Sequence, residues 1–202
     1  MKLIKLGRDF YERDTLLVAR ELLGMSLVHR SKRGIAAGII VETEAYIGPN
    51  DEASHAYRGR TKRNEIMFGP GGYAYVYQIY GMHFCFNIVI GTEGFPAAVL
   101  VRALEPIEGT DLMSKRRGIT EITDKNIVNL TNGPAKLCKA MGIDMSIYGV
   151  DLCGDKLFVT RPDKAPSINI IPTPRRNIDY AGEAKLYPWR FIIEGNRFVS
   201  FK

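Results

Sequence analysis

Two glutamates in one short run are the residues of this sequence best suited to acid–base chemistry. The run VETEAY covers residues 41–46. Side chains alternate along a strand, so Glu42, Glu44 and Tyr46 would share one face. Two carboxylates beside an aromatic ring, at the end of an apolar strand, fit general acid and base roles. The alternative is that both glutamates face water, as most glutamates do.

Arg102 stands in a second strand-like run, AAVLVRALE at residues 97–105, where its neighbours of the same parity are apolar. An arginine on an apolar face needs either solvent at the edge of the core or a carboxylate inside it. The second arrangement would pair Arg102 with Glu44 or Glu42 and let it position a water molecule or a phosphate. A purely structural ion pair is the competing interpretation.

Tyrosines concentrate just before a short interruption between two strand-like runs. Tyr73, Tyr75 and Tyr77 share one strand parity, and Tyr80 opens the interruption Tyr-Gly-Met. Aromatic side chains sandwich flat ligands such as nucleobases, although a tyrosine stripe on a strand is more often core or cross-strand packing. Tyr80 and Met82 make a poor turn sequence, but an exposed apolar tip suits a wedge that enters a base stack.

The charge balance favours an anionic partner, because the formal net charge is +6 and basic proteins bind nucleic acid or acidic membrane surfaces. Cationic residues cluster at 115–117, and Lys136 follows a predicted helix start. A longer cluster comprises Arg58, Arg60, Lys62 and Arg63. Such side chains contact phosphates, which gives affinity without sequence choice. The alternative for each cluster is a solvated charged surface.

The spacing of the cysteines and the lengths of the apolar runs indicate the cellular compartment of this protein. The three cysteines, Cys85, Cys138 and Cys153, are widely spaced and form no Cys/His cluster, which argues against a structural zinc and indicates free thiols in a reducing compartment. Charges interrupt the N-terminal residues too early for a signal peptide, and no apolar run reaches membrane length. We therefore expect a cytoplasmic or nuclear protein that makes no membrane contact.

The elements that must position these residues alternate between short strands and a few helices. Asp14 can cap a helix through LLVARELL, with Gly24 in the stop position. Asn132 can cap AKLCKAMG, with Pro134 early in the helix and Gly142 as the stop. Strand patterns cover SLVHR, IAAGIIVETEAY, residues 73–79, HFCFNIVI and residues 97–105, and then KLFVT, FIIEG and RFVSF near the C-terminus.

Hairpin spacing dominates these elements, and no βαβ rhythm is present. This pattern predicts an α+β fold: a single domain over residues 1–202, built around a curved, mainly antiparallel sheet with a protruding hairpin at residues 80–82. Residues 48–72 form a long loop, and loops of this length in compact domains are usually functional or disordered.

Several segments of the chain closely resemble the alkyladenine (3-methyladenine) DNA glycosylase family. The segments are VETEAYIGPNDEASHAYRGRTKRNEIMF, YVYQIYGMHFCFNIV, VLVRALEP and LTNGPAKLCKAMGI, with YAGEA, PWRFIIEGN and VS near the C-terminus. The resemblance begins at Phe10 and covers almost the whole chain. It implies a mixed α/β domain around a curved antiparallel sheet, acting as a monomer without metal or organic cofactor on double-stranded DNA that contains damaged purines.

The resemblance also implies roles for the chemical residues. Glu44 would be the general base that deprotonates a water molecule, and Arg102 would help to hold that water. Tyr46, His55 and Tyr77 would line the base pocket and stack on both faces of a flipped purine.

Three further residues receive roles from the same resemblance. Asn87 would crowd the exocyclic amino group of normal guanine. Tyr80 would intercalate where the base has left the duplex, and Met82 would follow it at the hairpin tip.

One segment departs from the family. Where members usually have Arg-Ile-Gly-Ile, this chain has Arg175-Arg176-Asn177-Ile178. Backbone in this segment helps to position the attacking water in the family, so the asparagine leaves the loop geometry, and with it the range of lesions, open.

Together these features predict a monofunctional DNA glycosylase that releases 3-methyladenine, 7-methylguanine or hypoxanthine. The position matched to the catalytic group is not a lysine, so no Schiff base and no strand cleavage are expected. Three other classes remain: a non-catalytic nucleic-acid binding module, a nucleoside hydrolase that uses Glu44 and Arg102, and a structural barrel domain. The basic loop and Tyr80 argue against the nucleoside hydrolase, because a free nucleoside needs neither.

Overall fold

The structure is a computed structural model that describes residues 3–164 and 167–200. The strands in these ranges are β1 (Leu3–Lys5), β2 (Ser26–Ser31), β3 (Gly34–Ile47), β4 (Ala74–Ile79), β5 (His83–Ile90), β6 (Ala97–Glu108), β7 (Leu157–Pro162), β8 (Ile170–Thr173) and β9 (Arg190–Ile193). The α-helices are α1 (Arg8–Tyr11), α2 (Thr15–Glu21), α3 (Thr110–Arg117) and α4 (Pro134–Met141). Short 3-10 helices cover Gly48–Asn50, Glu65–Phe68, Ile127–Leu130, Met145–Ile147 and Gly182–Leu186.

The strands form one sheet, and every pairing between them is antiparallel. The order is β1-β7-β2-β3-β6-β5-β4, and β9 pairs with both β3 and β8. The long strand β3 pairs with β2 over its first half and with β9 at residues 42–44, while β6 lies along its other edge. This change of neighbour is how the sheet curves, and the α+β prediction is confirmed.

Three register shifts interrupt the pairing of β3 with β6, and two of them flank Glu42. Ile40 pairs with Leu104 and Glu42 with Ala103, whereas Thr43 pairs with Val101. One residue on each strand, Val41 and Arg102, therefore falls outside the ladder. Such bulges bend a strand and re-aim a side chain, and this one directs Arg102 at the glutamates of β3.

The main core lies between the sheet and helices α2, α3 and α4. Its buried side chains include Val18 and Leu22 of α2, Leu137 and Met141 of α4, and Phe86 of β5. Burial of these apolar side chains supplies most of the stabilisation, about 1.5–3 kcal/mol for each large one. None of the helices in the described ranges is long and apolar enough to cross a membrane.

Helix boundaries follow the predicted caps with two corrections. Helix α2 ends at Glu21, with Leu22 rather than Gly24 as its C-cap. The Asp14 carboxylate accepts a hydrogen bond from the backbone N–H of Leu17 at 2.9 Å and begins α2. Helix α4 is capped by Gly133 rather than by Asn132. The side-chain oxygen of Asn132 instead accepts a hydrogen bond from Lys136 Nζ at 2.8 Å.

The predicted C-terminal strand RFVSF is wrong over residues 197–200, which form turns and bends; residue 201 lies outside the described ranges. Its apolar residues Phe198 and Val199 are buried against Val41 and Ala103. An apolar segment can thus be buried against a sheet without being a strand. Its composition alone does not distinguish these two cases.

Candidate active site

An open cavity of about 240 Å³ lies where the ends of β3–β6 meet the loops 48–73 and 174–182. The side chains predicted to line a base pocket all reach it: Tyr46, His55, Tyr77 and Asn87. Tyr80 and Arg102 line it too. The antiparallel pairing of β3 with β6, and of β4 with β5, brings together residues far apart in the sequence.

Glu44 is completely buried beside this cavity, so the interpretation in which it faces water is wrong. Its Oε2 accepts hydrogen bonds from the Tyr46 hydroxyl at 2.8 Å and from Arg102 Nη1 at 3.1 Å. Its Oε1 accepts one from the backbone N–H of Arg176 at 2.8 Å. Three donors from three segments therefore fix the carboxylate in one orientation.

Tyr46 remains a hydrogen-bond donor in this arrangement. Burial, and then the adjacent carboxylate of Glu44, raise the pKa of Tyr46 well above its usual value. The phenol therefore stays protonated, and its hydroxyl keeps donating to Glu44.

Glu42 lies on the same face and is also completely buried. Its Oε1 accepts hydrogen bonds from the Nε atoms of Arg102 and Arg190, each at 2.7 Å. Ser200 donates to it twice, from the hydroxyl at 2.9 Å and from the backbone N–H at 2.7 Å. Burial alone would raise the pKa of Glu42, but the charges of the two arginines and the Ser200 N–H outweigh burial and lower it.

Arg102 bridges the two carboxylates, which confirms the arrangement with a partner inside the core. Burial would lower the pKa of Arg102, but Glu44 and Glu42 raise it, so the side chain is cationic. Its Nη2 atom is buried and has no hydrogen-bond partner among the described residues. Because Arg102 lines the cavity, this N–H group can serve an acceptor that enters there.

An aromatic wall forms the side of the cavity opposite the carboxylates. We define it as His55, Tyr75 and Tyr77. The Nδ1 atom of His55 and the Tyr75 hydroxyl are 2.7 Å apart. The ring of Tyr77 lies 4.6 Å from that of His55 and 5.5 Å from that of Tyr75, between centroids. Asn87 fixes its amide by donating to the Tyr75 carbonyl at 3.2 Å.

Although His55 is an exposed residue, the pKa of its ring is lowered to about 4, first by desolvation and then by the charge of Arg63. The ring is therefore neutral near pH 7. Tyr75 was not among the predicted pocket residues, yet the shared strand parity of Tyr75 and Tyr77 could have identified it.

Sequence reasoning missed a buried ion pair that supports the cavity. Both partners, Arg175 and Asp51, are buried, and they form a bidentate pair at 2.5 and 2.7 Å. The guanidinium also donates to the carbonyls of Ala45 and Ala184 and lies 4.8 Å from the ring centroid of Tyr46. Because the partners are 124 positions apart, no local spacing pointed to this pair.

The long loop of residues 48–72 is held by polar side chains. Asp51 accepts hydrogen bonds from the backbone N–H groups of Ile47 and Ala53, each at 3.1 Å. The amide of Asn64 is buried and donates to the carbonyls of His55 and Gly59. These bonds give the loop a defined conformation that presents His55 to the cavity.

The asparagine that departs from the family pattern adopts the backbone conformation that glycine favours. Asn177 has a φ of 58°, in the left-handed region that asparagine tolerates better than most residues. The preceding residue, Arg176, donates its N–H to Glu44. The substitution is thus compatible with a loop that supports the carboxylate.

The predicted hairpin is present, and its tip is exposed. Tyr80 is 89% exposed and Met82 is 70% exposed. Tyr80 and Gly81 both have positive φ, 49° and 69°, as a type I′ turn requires. The N–H of Met82 donates to the Ile79 carbonyl at 3.3 Å and closes the turn.

The cationic side chains divide into two groups. Arg58, Arg60, Lys62 and Arg63 are exposed on the long loop. In the second cluster, Arg116 donates to the Ala140 carbonyl at 3.0 Å and Arg117 to the Asn129 carbonyl at 3.3 Å. These two arginines are half-buried and tie helix α3 to its neighbours, so packing describes them better than phosphate contact. Lys136 is also half-buried, bound to Asn132.

Known proteins match this chain over almost its full length. The model of the methylpurine-DNA glycosylase family matches residues 9–197. A proposed 3-methyladenine DNA glycosylase of Desulfitobacterium hafniense is 51% identical over 202 residues, covering 98% of this chain and 99% of the relative. A protein of the same name from Clostridium acetobutylicum is 51% identical over 201 residues, covering 98% of both chains. One from Bacillus cereus is 52% identical over 200 residues, covering 96% of this chain and 98% of the relative.

The matched residues 9–197 contain the strands, the long loop and the hairpin that surround the cavity, and with them Glu44, Arg102 and the aromatic wall. This chain therefore belongs to the methylpurine-DNA glycosylase family, and it is a DNA repair enzyme that hydrolyses N-glycosyl bonds.

Proposed function

We propose that the enzyme flips alkylated or deaminated purines out of duplex DNA and hydrolyses the bond to the sugar with water activated by Glu44. The purines are of the 3-methyladenine, 7-methylguanine and hypoxanthine type. The observation that carries the proposal is a buried carboxylate, held by three donors, beside an aromatic cavity. A protein that only binds DNA does not need a buried carboxylate held in this position.

The damaged nucleotide must leave the duplex before it can enter the cavity, which requires a few kcal/mol for unstacking and unpairing. Tyr80, at the exposed tip of the hairpin, fills the gap in the base stack, and Met82 lies beside it. Such apolar wedges oppose the return of the base. Tyr46, His55 and Tyr77 then hold the purine by stacking, and Asn87 excludes the amino group of normal guanine.

Glu44 accepts a proton from a water molecule while the oxygen of that water bonds to C1′ of the sugar. The bond between C1′ and the purine breaks, and its electron pair leaves with the base. The sugar develops oxocarbenium character, which a nearby carboxylate stabilises. Arg102 positions the water through its Nη2 atom, which has no hydrogen-bond partner among the residues that the structure describes.

The product is an abasic site in an unbroken strand. No lysine is among the described residues that line the cavity, so we expect no Schiff base and no strand cleavage. In this proposal the enzyme acts as a monomer, as its resemblance to the alkyladenine DNA glycosylases implies. It needs no metal or organic cofactor in this mechanism, since the water is activated by Glu44.

Contacts to the DNA backbone come from cationic side chains near the cavity. Arg58, Arg60 and Lys62 extend from the loop that also carries His55, and Lys136 stands near the start of α4. Their contribution is affinity for phosphate rather than choice of lesion.

Base release from duplexes that each contain one damaged purine tests this proposal. Replacing Glu44 with glutamine should slow release by 10²–10⁴-fold, on the order expected for a lost general base, while lesion binding persists. Glu108→Gln, at an exposed position of β6, is the matched control and should keep wild-type release. Release by Glu44→Gln near the wild-type rate would contradict the general-base role.

The same assay separates the competing functions. Hydrolysis of free nucleosides without action on duplexes would identify a nucleoside hydrolase. Tight binding of damaged duplexes without any base release would identify a non-catalytic module.

A further inference from the structure

Arg63 differs in position from the other cationic residues of its loop. Its guanidinium carbon lies 5.1 Å from the ring centroid of Tyr77, and the side chain lines the cavity. Arg60, three positions earlier, lies instead over the ring of Phe68 at 5.6 Å, and neither Arg60 nor Phe68 lines the cavity. The cation at Arg63 therefore stands beside the aromatic wall, where a purine would stack.

Among the arginines that line the cavity, Arg63 has its guanidinium over a ring of the aromatic wall. Within the described chain, the arginines that line the cavity are Arg63, Arg102 and Arg176. Arg102 is bound to two carboxylates, and Arg176 adjoins Glu44, to which its backbone N–H donates. His55 adds no charge near pH 7, because desolvation and the charge of Arg63 lower its pKa to about 4.

The two chemical classes of damaged purine differ in the charge of the departing base. An N-alkylated purine is cationic in DNA and becomes neutral when it takes the electron pair of the C1′–N bond. Hypoxanthine is neutral in DNA, so the same electron pair makes it an anion until solvent supplies a proton. In both cases the water oxygen bonds to C1′ and its proton passes to Glu44. Relative to the free duplex, a fixed cation beside the base stabilises the departing anion of hypoxanthine, whereas an alkylated base that leaves neutral gains no such stabilisation.

We propose that Arg63 is a specificity-determining residue that assists the release of neutral purines such as hypoxanthine. This inference rests on the base release proposed above. A unit charge at about 5 Å in a partly solvated site changes a rate by about tenfold after screening. Arg63 thus extends the action of the enzyme from cationic to neutral lesions.

The second-order rate constant of single-turnover base release, measured with subsaturating enzyme in excess over each of two duplexes that differ only in the lesion, tests this role. Replacing Arg63 with glutamine should lower the release of hypoxanthine about tenfold and change the release of 7-methylguanine by less than about twofold. Arg63→Lys retains the charge and should recover much of the hypoxanthine rate. The ratio of the two rates comes from one enzyme sample, so partial loss of folded protein does not alter it.

Arg60→Gln is the matched control, because it removes one positive charge from the same loop. It should change both rates by the same factor. An Arg63→Gln variant that also changes both rates equally would overturn the inference and leave the proposed function intact. Absence of base release by the wild-type enzyme from either duplex would instead overturn the proposed function.

Discussion

Tyr80 adopts a backbone conformation that bulky residues avoid. Its φ of 49° lies in the left-handed region, where a residue other than glycine, asparagine or aspartate is strained by about 1–3 kcal/mol. The ring is 89% exposed, so packing within the chain does not repay this strain. A tyrosine at this position is understandable if the ring contacts a ligand that the isolated protein lacks.

Replacing Tyr80 with asparagine should therefore affect stability and binding in opposite directions. We expect the free energy of unfolding to rise by about 1 kcal/mol, because asparagine tolerates the left-handed conformation. We expect affinity for damaged duplexes to fall at least about tenfold, because the wedge is lost. Denaturant unfolding and a binding titration measure the two effects.

Tyr57→Asn, at a half-exposed tyrosine of the long loop with 43% exposure, is the control for loss of an aromatic surface residue. Unchanged affinity of Tyr80→Asn for damaged DNA would remove the wedge role. A loss of stability would show that the tyrosine ring is needed to form the turn.

At the scale of residues, the sequence predicted those neighbouring side chains whose positions follow from local periodicity. Strand alternation placed Glu42, Glu44 and Tyr46 together, and the apolar neighbours of Arg102 left two arrangements, one of them with a carboxylate inside the core. That Arg102 Nη2 lacks a hydrogen-bond partner among the described residues was not predictable, because it depends on a bulge whose position the apolar pattern does not mark.

The ion pair of Arg175 with Asp51 joins two loops that both line the cavity. Asp51 belongs to the loop that carries His55, and Arg175 precedes Arg176, whose N–H binds Glu44. Both side chains of the pair are completely buried. The pair therefore couples the position of the base pocket to the orientation of the carboxylate.

Asp51→Asn should be strongly destabilising, because it leaves Arg175 as a buried cation without its counter-charge. The expected loss is about 3–5 kcal/mol in the free energy of unfolding, measured by urea denaturation. Base release by the fraction that remains folded should also fall, because the N–H of Arg176 is no longer held. Asp155→Asn, at a surface ion pair with Lys5, is the control and should leave the free energy of unfolding nearly unchanged, because solvent screens exposed ion pairs.

Wild-type stability of Asp51→Asn would mean that the surrounding backbone, rather than the ion pair, holds the two loops together.

At the scale of elements, the hairpin and the β3–β6 strands followed from sequence patterns. The loop contacts did not, because pairing between distant loops is decided by tertiary packing and leaves no periodic trace.

Over the whole molecule, the cavity opens at the side of the sheet that carries the hairpin and the basic loop. Arg58, Arg60 and Lys62 extend from that loop, whereas β1 and β7 form the opposite edge of the sheet. A duplex placed with a nucleotide in the cavity would thus meet positive charge from the loop.

Replacing both Arg58 and Lys62 with glutamine should reduce the dependence of DNA affinity on salt. Each lost phosphate contact lowers the slope of log affinity against log salt by about 0.9, so the pair should lower it by about 1–2. Arg161→Gln, at an exposed position of β7 near the far edge, should leave the slope unchanged. An unaltered slope in the double variant would assign these residues a role in packing.

Fold class was predictable at this scale because hairpin spacing favours antiparallel pairing. The path of the C-terminal residues was not: the run at 197–200 is buried without forming a strand. Its position is set by Ser200, whose partner Glu42 is on the central strand.

The hydrogen bonds from Ser200 to Glu42 span 158 positions of the chain. Proteins are synthesised from the N-terminus, so Glu42 and Arg102 leave the ribosome long before the serine that completes their surroundings. Strands β3 and β6 can pair in the meantime, but one buried acid then lacks two of its donors. In a ribosome-bound polypeptide that has not yet reached Ser200, the buried carboxylate of Glu42 therefore depends on the arginines alone.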